Sequence, residues 1–562
     1  MVHLSQYLRR TAALAGALIK AAAPLLLTGC LENDIPYPVV ECRIEAITAE
    51  GLSGEAVIDA AQNRITLPLL ETTDIRNVNI TAVTLTDKAV SSVELVGYHD
   101  LTFPLTVKLS LYAEYEWTIT AEQTISRHFT VDGQVGATEW DLSQSPRIAR
   151  VNVGYNGNDE FDPSKGPSAV IVRSLKLGPE GITKMEIPAE EIDDFDLRNP
   201  EQPWDFTTNR RVHVTCHGRT ELWDLYVKYT DLKVEFRRID GWARTAWFYG
   251  EGRTGTKLGF RYRPAGSTEW TEVDDADITV DGGSFSANVR GLTPQTDYEA
   301  VAYSDDDDSA VLTFTTEAEL PLPNGDFEIW SKIGNLICPY LSPETMFWDT
   351  GNKGATTLGA DYNITTYVNN DLRPQTEGST AARLASRYVV LKFAAGNIFT
   401  GEYAKTEGTN GRVNFGRRFT SHPTALHGWV KFSNGKINRI SGHPQGRTLT
   451  TEDFDEGQIY IALGTWTADK YGGSAESPVQ VYSADEKTFF NPKADDVIGY
   501  GEKIYTSPTN GWEEFTIPVE YKSTDLNPTH IIIVCSASRW GDYFTGCDQN
   551  VMLLDDLELL WE

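Results

Sequence analysis

Arg539-Trp540-Gly541-Asp542-Tyr543-Phe544 gathers a guanidinium, a carboxylate and three aromatic rings into one short segment. Aromatic rings stack on the C–H faces of sugars, and a neighbouring carboxylate or guanidinium grips vicinal hydroxyls through paired hydrogen bonds. Sugar recognition is therefore one chemistry this segment can perform. In the alternative, Trp540 and Phe544 fill a core and Arg539 pairs with Asp542 to hold the loop. Trp348-Asp-Thr-Gly-Asn352 forms a second aromatic and amide patch, and Trp466 and Tyr471 belong to a third loop. The candidate ligand-binding residues are thus Arg539, Trp540, Asp542, Tyr543, Trp348, Trp466 and Tyr471. Glycoside hydrolysis needs two carboxylates at a defined separation, and no motif selects such a pair; Asp542 with Glu402 is the candidate. Nucleophile elbows, HExxH helices and P-loops are absent, and His422, His427, His443 and His530 show no metal-ligand spacing.

Two acidic, strand-like segments frame the last part of the chain, Asn324-Gly-Asp-Phe-Glu328 and Leu554-Asp-Asp-Leu-Glu-Leu559. A jelly roll that pairs its first and last strands brings such carboxylates together, and a hard cation needs six to eight oxygens. Glu328, Asp555 and Asp556 are candidates for a structural calcium, with Asp326 as a further acid. The alternative has Asn324 and Asp326 making a turn and Asp555 capping backbone.

The chain is strongly acidic, with a formal charge of −31. Such a surface repels phosphate backbones, so nucleic acid is excluded as a partner, whereas neutral polysaccharide is compatible. At the N-terminus, Arg9 and Arg10 precede an apolar run from Ala12 to Leu27 and then Leu27-Thr-Gly-Cys30. The run is short for a membrane span. The tetrad resembles a bacterial lipobox, which implies a signal peptide and lipidation of Cys30. Residues 1–30 are then an address, and the body lies outside the bilayer, anchored by acyl chains. Acidic Glu32 and Asp34 resemble the tether of surface-exported lipoproteins, an outer-membrane anchor facing the cell exterior. Past Cys30, five cysteines remain, without CxxC spacing, so stability must come from large cores.

Those cores belong to β elements. Gly and Pro are frequent, aromatics make up 11% of the chain, and short alternating runs are set off by turn residues while helical periodicity is nearly absent. The spacing predicts an all-β chain of tandem immunoglobulin-like and fibronectin III-like sandwiches before a C-terminal jelly roll of galactose-binding-like type. The boundaries read as a tether at 31–40, an Ig-like unit at 41–134, a second Ig-like sandwich at 139–237, a fibronectin type III-like unit at 238–318 and the jelly roll at 324–562. Leu292-Thr-Pro-Gln-Thr-Asp-Tyr298 resembles the fibronectin signature, which predicts a tyrosine hydroxyl meeting backbone upstream.

Ala394-Ala-Gly-Asn-Ile-Phe-Thr-Gly401, Gly416-Arg-Arg-Phe-Thr-Ser-His-Pro-Thr-Ala-Leu426 with Gly428-Trp429, and Ser536-Ala-Ser-Arg-Trp-Gly-Asp-Tyr-Phe-Thr-Gly546 before Leu554-Asp-Asp strongly resemble the putative carbohydrate metabolism domain family. That family occurs in lipoproteins of gut Bacteroidetes behind immunoglobulin-like modules. The resemblance implies architecture more than activity. The tract from Lys470 to Asp496 departs from it as an insertion-like loop. The expectation is a cell-surface lipoprotein that binds glycans through its last domain and holds polysaccharide for hydrolase and transporter partners. The alternatives are a glycoside hydrolase, and an adhesin or stalk without a sugar site.

Overall fold

The computed structural model describes residues 42–561 except 61, 112, 156–161, 189–201, 306, 359–361 and 445–446. Cys30 and the 31–40 tether lie outside the described residues.

Alternation builds the first sandwich. In Arg64–Leu69 every second side chain (Ile65, Leu67, Leu69) is buried, as a strand with one covered face requires. This strand lies in a five-stranded sheet that faces a three-stranded one formed by Ile44–Ala49, Val78–Leu85 and Gly97–His99. Trp117 fills the space between them, fully buried, with its Nε1 donating to the Cys42 carbonyl at 3.0 Å.

The next boundary differs from the expected one. Two separate strands, Glu114–Gln123 and His128–Val131, lie before residue 134. The second of these pairs with Val172–Lys176, and Phe129 and Val131 pack in the next core with Trp204, Phe206 and Trp223. The first unit therefore ends near residue 125 rather than 134. Likewise Arg219–Thr230 closes the second unit, and Val234–Gly241 opens the third, where Val234 and Phe236 are core. Neither break carries glycine or proline, so alternation reads straight across both. In the third unit the Thr293 N–H donates to the Tyr298 hydroxyl at 3.0 Å, the expected tyrosine corner.

The last unit is a two-layer sandwich. One sheet of nine strands runs through Val479–Tyr482, Asn410–Phe415, Asn397–Glu407, His530–Ser536, Gly457–Gly464 and Val497–Tyr505. The other, of five, runs Thr365–Val368, Ala381–Ala385, Val551–Leu560, Ala425–Ser433, Glu513–Pro518. Ile459, Ile461, Ile531 and Ile533 from the first sheet meet Leu426, Val430, Phe432 and Leu554 from the second. Asn324–Glu328 is a turn rather than a strand, with Asn324 and Phe327 at positive φ. It still lies against the last strand: the Leu557 N–H donates to the Gly325 carbonyl at 2.8 Å, and Phe327 and Leu557 share the core.

The units touch beyond their linkers. Trp242 of the third stacks on His422 of the last, 4.5 Å apart and 2° from parallel, and packs on Tyr521. The His422 ring is held between the Glu317 carboxylate (2.8 Å) and the Leu526 carbonyl (2.9 Å). The first unit also reaches the last domain, through Arg43 to Glu486 at 3.0 Å and Arg64 to Asp495 at 3.9 Å. The chain thus folds back on itself.

Candidate functional site

The strands at the centre of the nine-stranded sheet are apolar on both faces. In Gly457–Gly464 the odd residues Ile459, Ile461 and Leu463 enter the main core, while Tyr460 and Ala462 face the other way and are also buried. A sheet with two apolar faces needs two covers. Part of the second cover is the insertion-like tract: Phe490 stacks on Tyr460 (5.4 Å, 5°) and meets Trp466 edge-on at 6.0 Å. The rest of that face stays open as a cavity of about 380 Å³, within the ~300–1,000 Å³ range of small-ligand sites. Its lining includes Phe399, Tyr403, Val413, Phe415, Tyr460 and Val534 from the sheet. Val389, Leu391 and Phe393 come from the hairpin of Arg387–Val389 and Lys392–Ala394, and Asp542 and Phe544 from a short turn.

That turn is the Gly541–Tyr543 3₁₀ segment, closed by Phe544 in the left-handed region. It delivers Asp542 to the cavity. Gly541 is needed there, since a Cβ would lie 2.5 Å from the Ala395 methyl. Asp542 has no hydrogen-bond or ion-pair partner among the described residues. Its side chain keeps accessible surface on the cavity, yet protein surrounds it closely enough that burial pushes its pKa up to about 6. Phe544 carries the Lys392 ammonium 3.7 Å above its ring.

The other predicted residues divide. Arg539 lines the cavity but pairs with Glu456 (2.9 Å) rather than Asp542, and its guanidinium lies over Trp540. Trp540 sits half-buried between Arg539 and Arg447, and Tyr543 packs edge-on against Phe489 at 5.2 Å. Three assignments are corrected. Trp348 is fully buried in the main core, where its Nε1 donates to the Pro323 carbonyl at 2.7 Å. Trp466 is 2% exposed and helps cover the outer face, and the Tyr471 hydroxyl donates to Asp496, away from the cavity. These rings have apolar or polar partners already, and sequence shows ring type without showing the partner. Glu402 does not meet Asp542 either. It accepts from Asn414 Nδ2 at 2.9 Å and is absent from the lining, whereas its neighbour Tyr403 faces the cavity, as strand alternation dictates.

The calcium expectation also fails on geometry. Glu328 accepts from both the Ser379 and Thr380 N–H groups at 2.8 Å, and Asp556 pairs with Arg373. Asp555 is 1% exposed and lies 4.0 Å from the same guanidinium. An arginine stands where the ion was expected, and among the described residues no group of three or more His, Cys, Asp or Glu could hold a metal. Burial, then the neighbouring Asp556 charge, pushes Asp555 up to about 7.

Sequence reasoning missed Phe399, Tyr403, Phe415, Tyr460 and Lys392. The available signal was the run of buried residues in Gly457–Gly464 and His530–Ser536, whose lack of polar alternation marks a sheet covered on both sides.

Residues 321–560 match the model of a family described as "Putative carbohydrate metabolism domain". Among solved structures, similarity is found to a putative glycoside hydrolase from Bacteroides thetaiotaomicron, at 15% identity over 77% of this chain and 95% of that one, with a TM-score of 0.30. A putative glycoside hydrolase from Bacteroides vulgatus shows 19% identity over 42% of this chain and 90% of that one, TM-score 0.29. A tandem of CBM22 domains from Paenibacillus barcinonensis shows 10% identity over 68% and 91%, TM-score 0.19. No curated protein matches. The final domain of this chain, residues 321–560, is thus similar to the putative carbohydrate metabolism domain family, whose model it matches.

Proposed function

We propose that the final domain binds a carbohydrate in the cavity on the outer face of its nine-stranded sheet. The observation that carries this reading is Asp542, an unpartnered carboxylate beside an aromatic floor. Phe399 and Phe415 supply apolar ring surface along the cavity for C–H contact, and the carboxylate accepts from hydroxyls. The match of residues 321–560 to the putative carbohydrate metabolism domain model gives the carbohydrate association independent support. Binding is favoured over hydrolysis because Asp542 is the one carboxylate among the described lining residues, and hydrolysis by paired carboxylates needs two.

In the cell, the chain would be held at the outer membrane by lipid on Cys30, facing outward and passing polysaccharide to hydrolase and transporter partners. The test is to assay the full chain against a glycan panel for both retention and reducing-end release. Retention without release is expected, with Asp542→Asn weakening it at least tenfold. Release that Asp542→Asn abolishes would make the domain a hydrolase instead, and failure to retain any glycan would sink the carbohydrate reading.

A further inference from the structure

The polarity of the cavity goes further, on the premise that the carbohydrate reading of this same site holds. A bare sugar ring carries a hydroxyl on nearly every carbon, and each one buried without a partner is costly. The lining has little to offer them. Phe393, Phe399, Val413, Phe415, Val481 and Val534 have no polar side-chain atoms. Most of the polar groups already have partners within the protein. Asn397 Oδ1 accepts from the Gly351 N–H, Ser538 Oγ donates to Asp455, Gln458 Nε2 donates to Glu502 and the Tyr403 hydroxyl meets Thr406. Of the three charged lining residues described, Lys392 bonds Asn410 and Arg539 bonds Glu456, which leaves Asp542. The space is therefore largely apolar, and Asp542 is its one charged group without a partner among the described residues.

The hairpin beside it points the same way. Its tip, Val390-Leu391, leaves the two side chains 53% and 65% exposed, and Leu391 lines the cavity. Val390 sits at φ +48°, a conformation in which a β-branched residue is strained. Strain and exposed apolar surface coincide at one rim, and both favour contact with an apolar group there.

We infer that the cavity receives the apolar substituent of a decorated sugar, an aryl or acyl group, with a hydroxyl of the attached sugar unit donating to Asp542 and the hairpin tip covering the substituent. The ligand class is thus a substituted glycan rather than a bare one.

Calorimetric titration of the full chain with matched pairs tests this: the phenyl and methyl glycosides of one sugar, and an acetylated oligosaccharide with its deacetylated product. The substituted member of at least one pair is expected to bind tenfold or more tighter. Leu391→Asn, at an exposed position that does not threaten folding, should reduce that preference at least threefold, while Val311→Asn in the third unit should leave it unchanged. Equal affinities within every pair that binds would overturn the inference and leave glycan binding standing. If neither member of any pair binds, the carbohydrate reading falls with it.

Discussion

Asp542 has a pKa pushed up to about 6 by the protein packed around it, so its charge changes between about pH 5 and 7. Its ionised form accepts hydrogen bonds best. Glycan affinity should therefore rise between pH 5 and 7 in the wild type and stay flat in Asp542→Asn, as titrations at several pH values would reveal. Asp555 makes a statement about stability instead. Its folded pKa of about 7 stands above the ordinary 3.8. A raised carboxylate favours the protonated fold, so its stabilising contribution is present below the unfolded value and disappears as pH climbs through 7. The loss amounts to at most roughly 4 kcal/mol for this buried group. Urea midpoints should fall from pH 5 to pH 8 in the wild type, and Asp555→Asn should flatten that slope; an equal slope in both would contradict the assignment. Asp542 was legible in the sequence because its segment concentrates the chemistry of sugar contact. Trp348 and Trp466 misled for the opposite reason, since a tryptophan flanked by polar residues looks like a platform whether or not its ring has a core to enter.

Among the elements, the turn that begins the final domain matters as much as the strands. Gly325 has no room for a side chain: a Cβ would lie 2.1 Å from the Leu557 carbonyl oxygen. Gly325→Ala should push this turn off the last strand and cost about 1–3 kcal/mol, measured as a lowered denaturation midpoint. An unchanged midpoint would mean that the contact does not help close the sandwich. Strand positions were legible wherever burial alternates, as in Arg64–Leu69. The unit boundaries near 125 and 232 were not, because the breaks there are made by tertiary pairing, His128–Val131 choosing Val172–Lys176, and no turn residue announces them. The cavity was hidden for a related reason. It needs the hairpin, the Asp542 turn and the sheet face together, and residues from Gly351 to Phe544 meet there only after folding.

The whole molecule is held by joints of unequal strength. Trp242 is buried against His422 and Tyr521, and its Nε1 donates to the Thr524 carbonyl at 3.2 Å. Trp242→Ala should cost on the order of 3 kcal/mol and split one calorimetric transition into two as the third unit uncouples; a single, unmoved transition would contradict a rigid joint. The contacts of Arg43 and Arg64 with the last domain are exposed ion pairs, each worth about 0–1 kcal/mol and weakened by salt. If Cys30 carries the proposed lipid, the segment from there to Cys42 spans at most about 40 Å. Folding back would then keep the last domain near the membrane rather than at the end of a stalk. Cys30→Ser should release the protein from the membrane fraction without changing glycan binding. The most direct test of the central claim is a crystal structure of the protein soaked with a glycan that it retains. Ligand should lie in the cavity against Phe399 and Phe415 with a hydroxyl within hydrogen-bonding distance of Asp542. Ligand seated elsewhere at full occupancy, with this cavity still vacant, would contradict it.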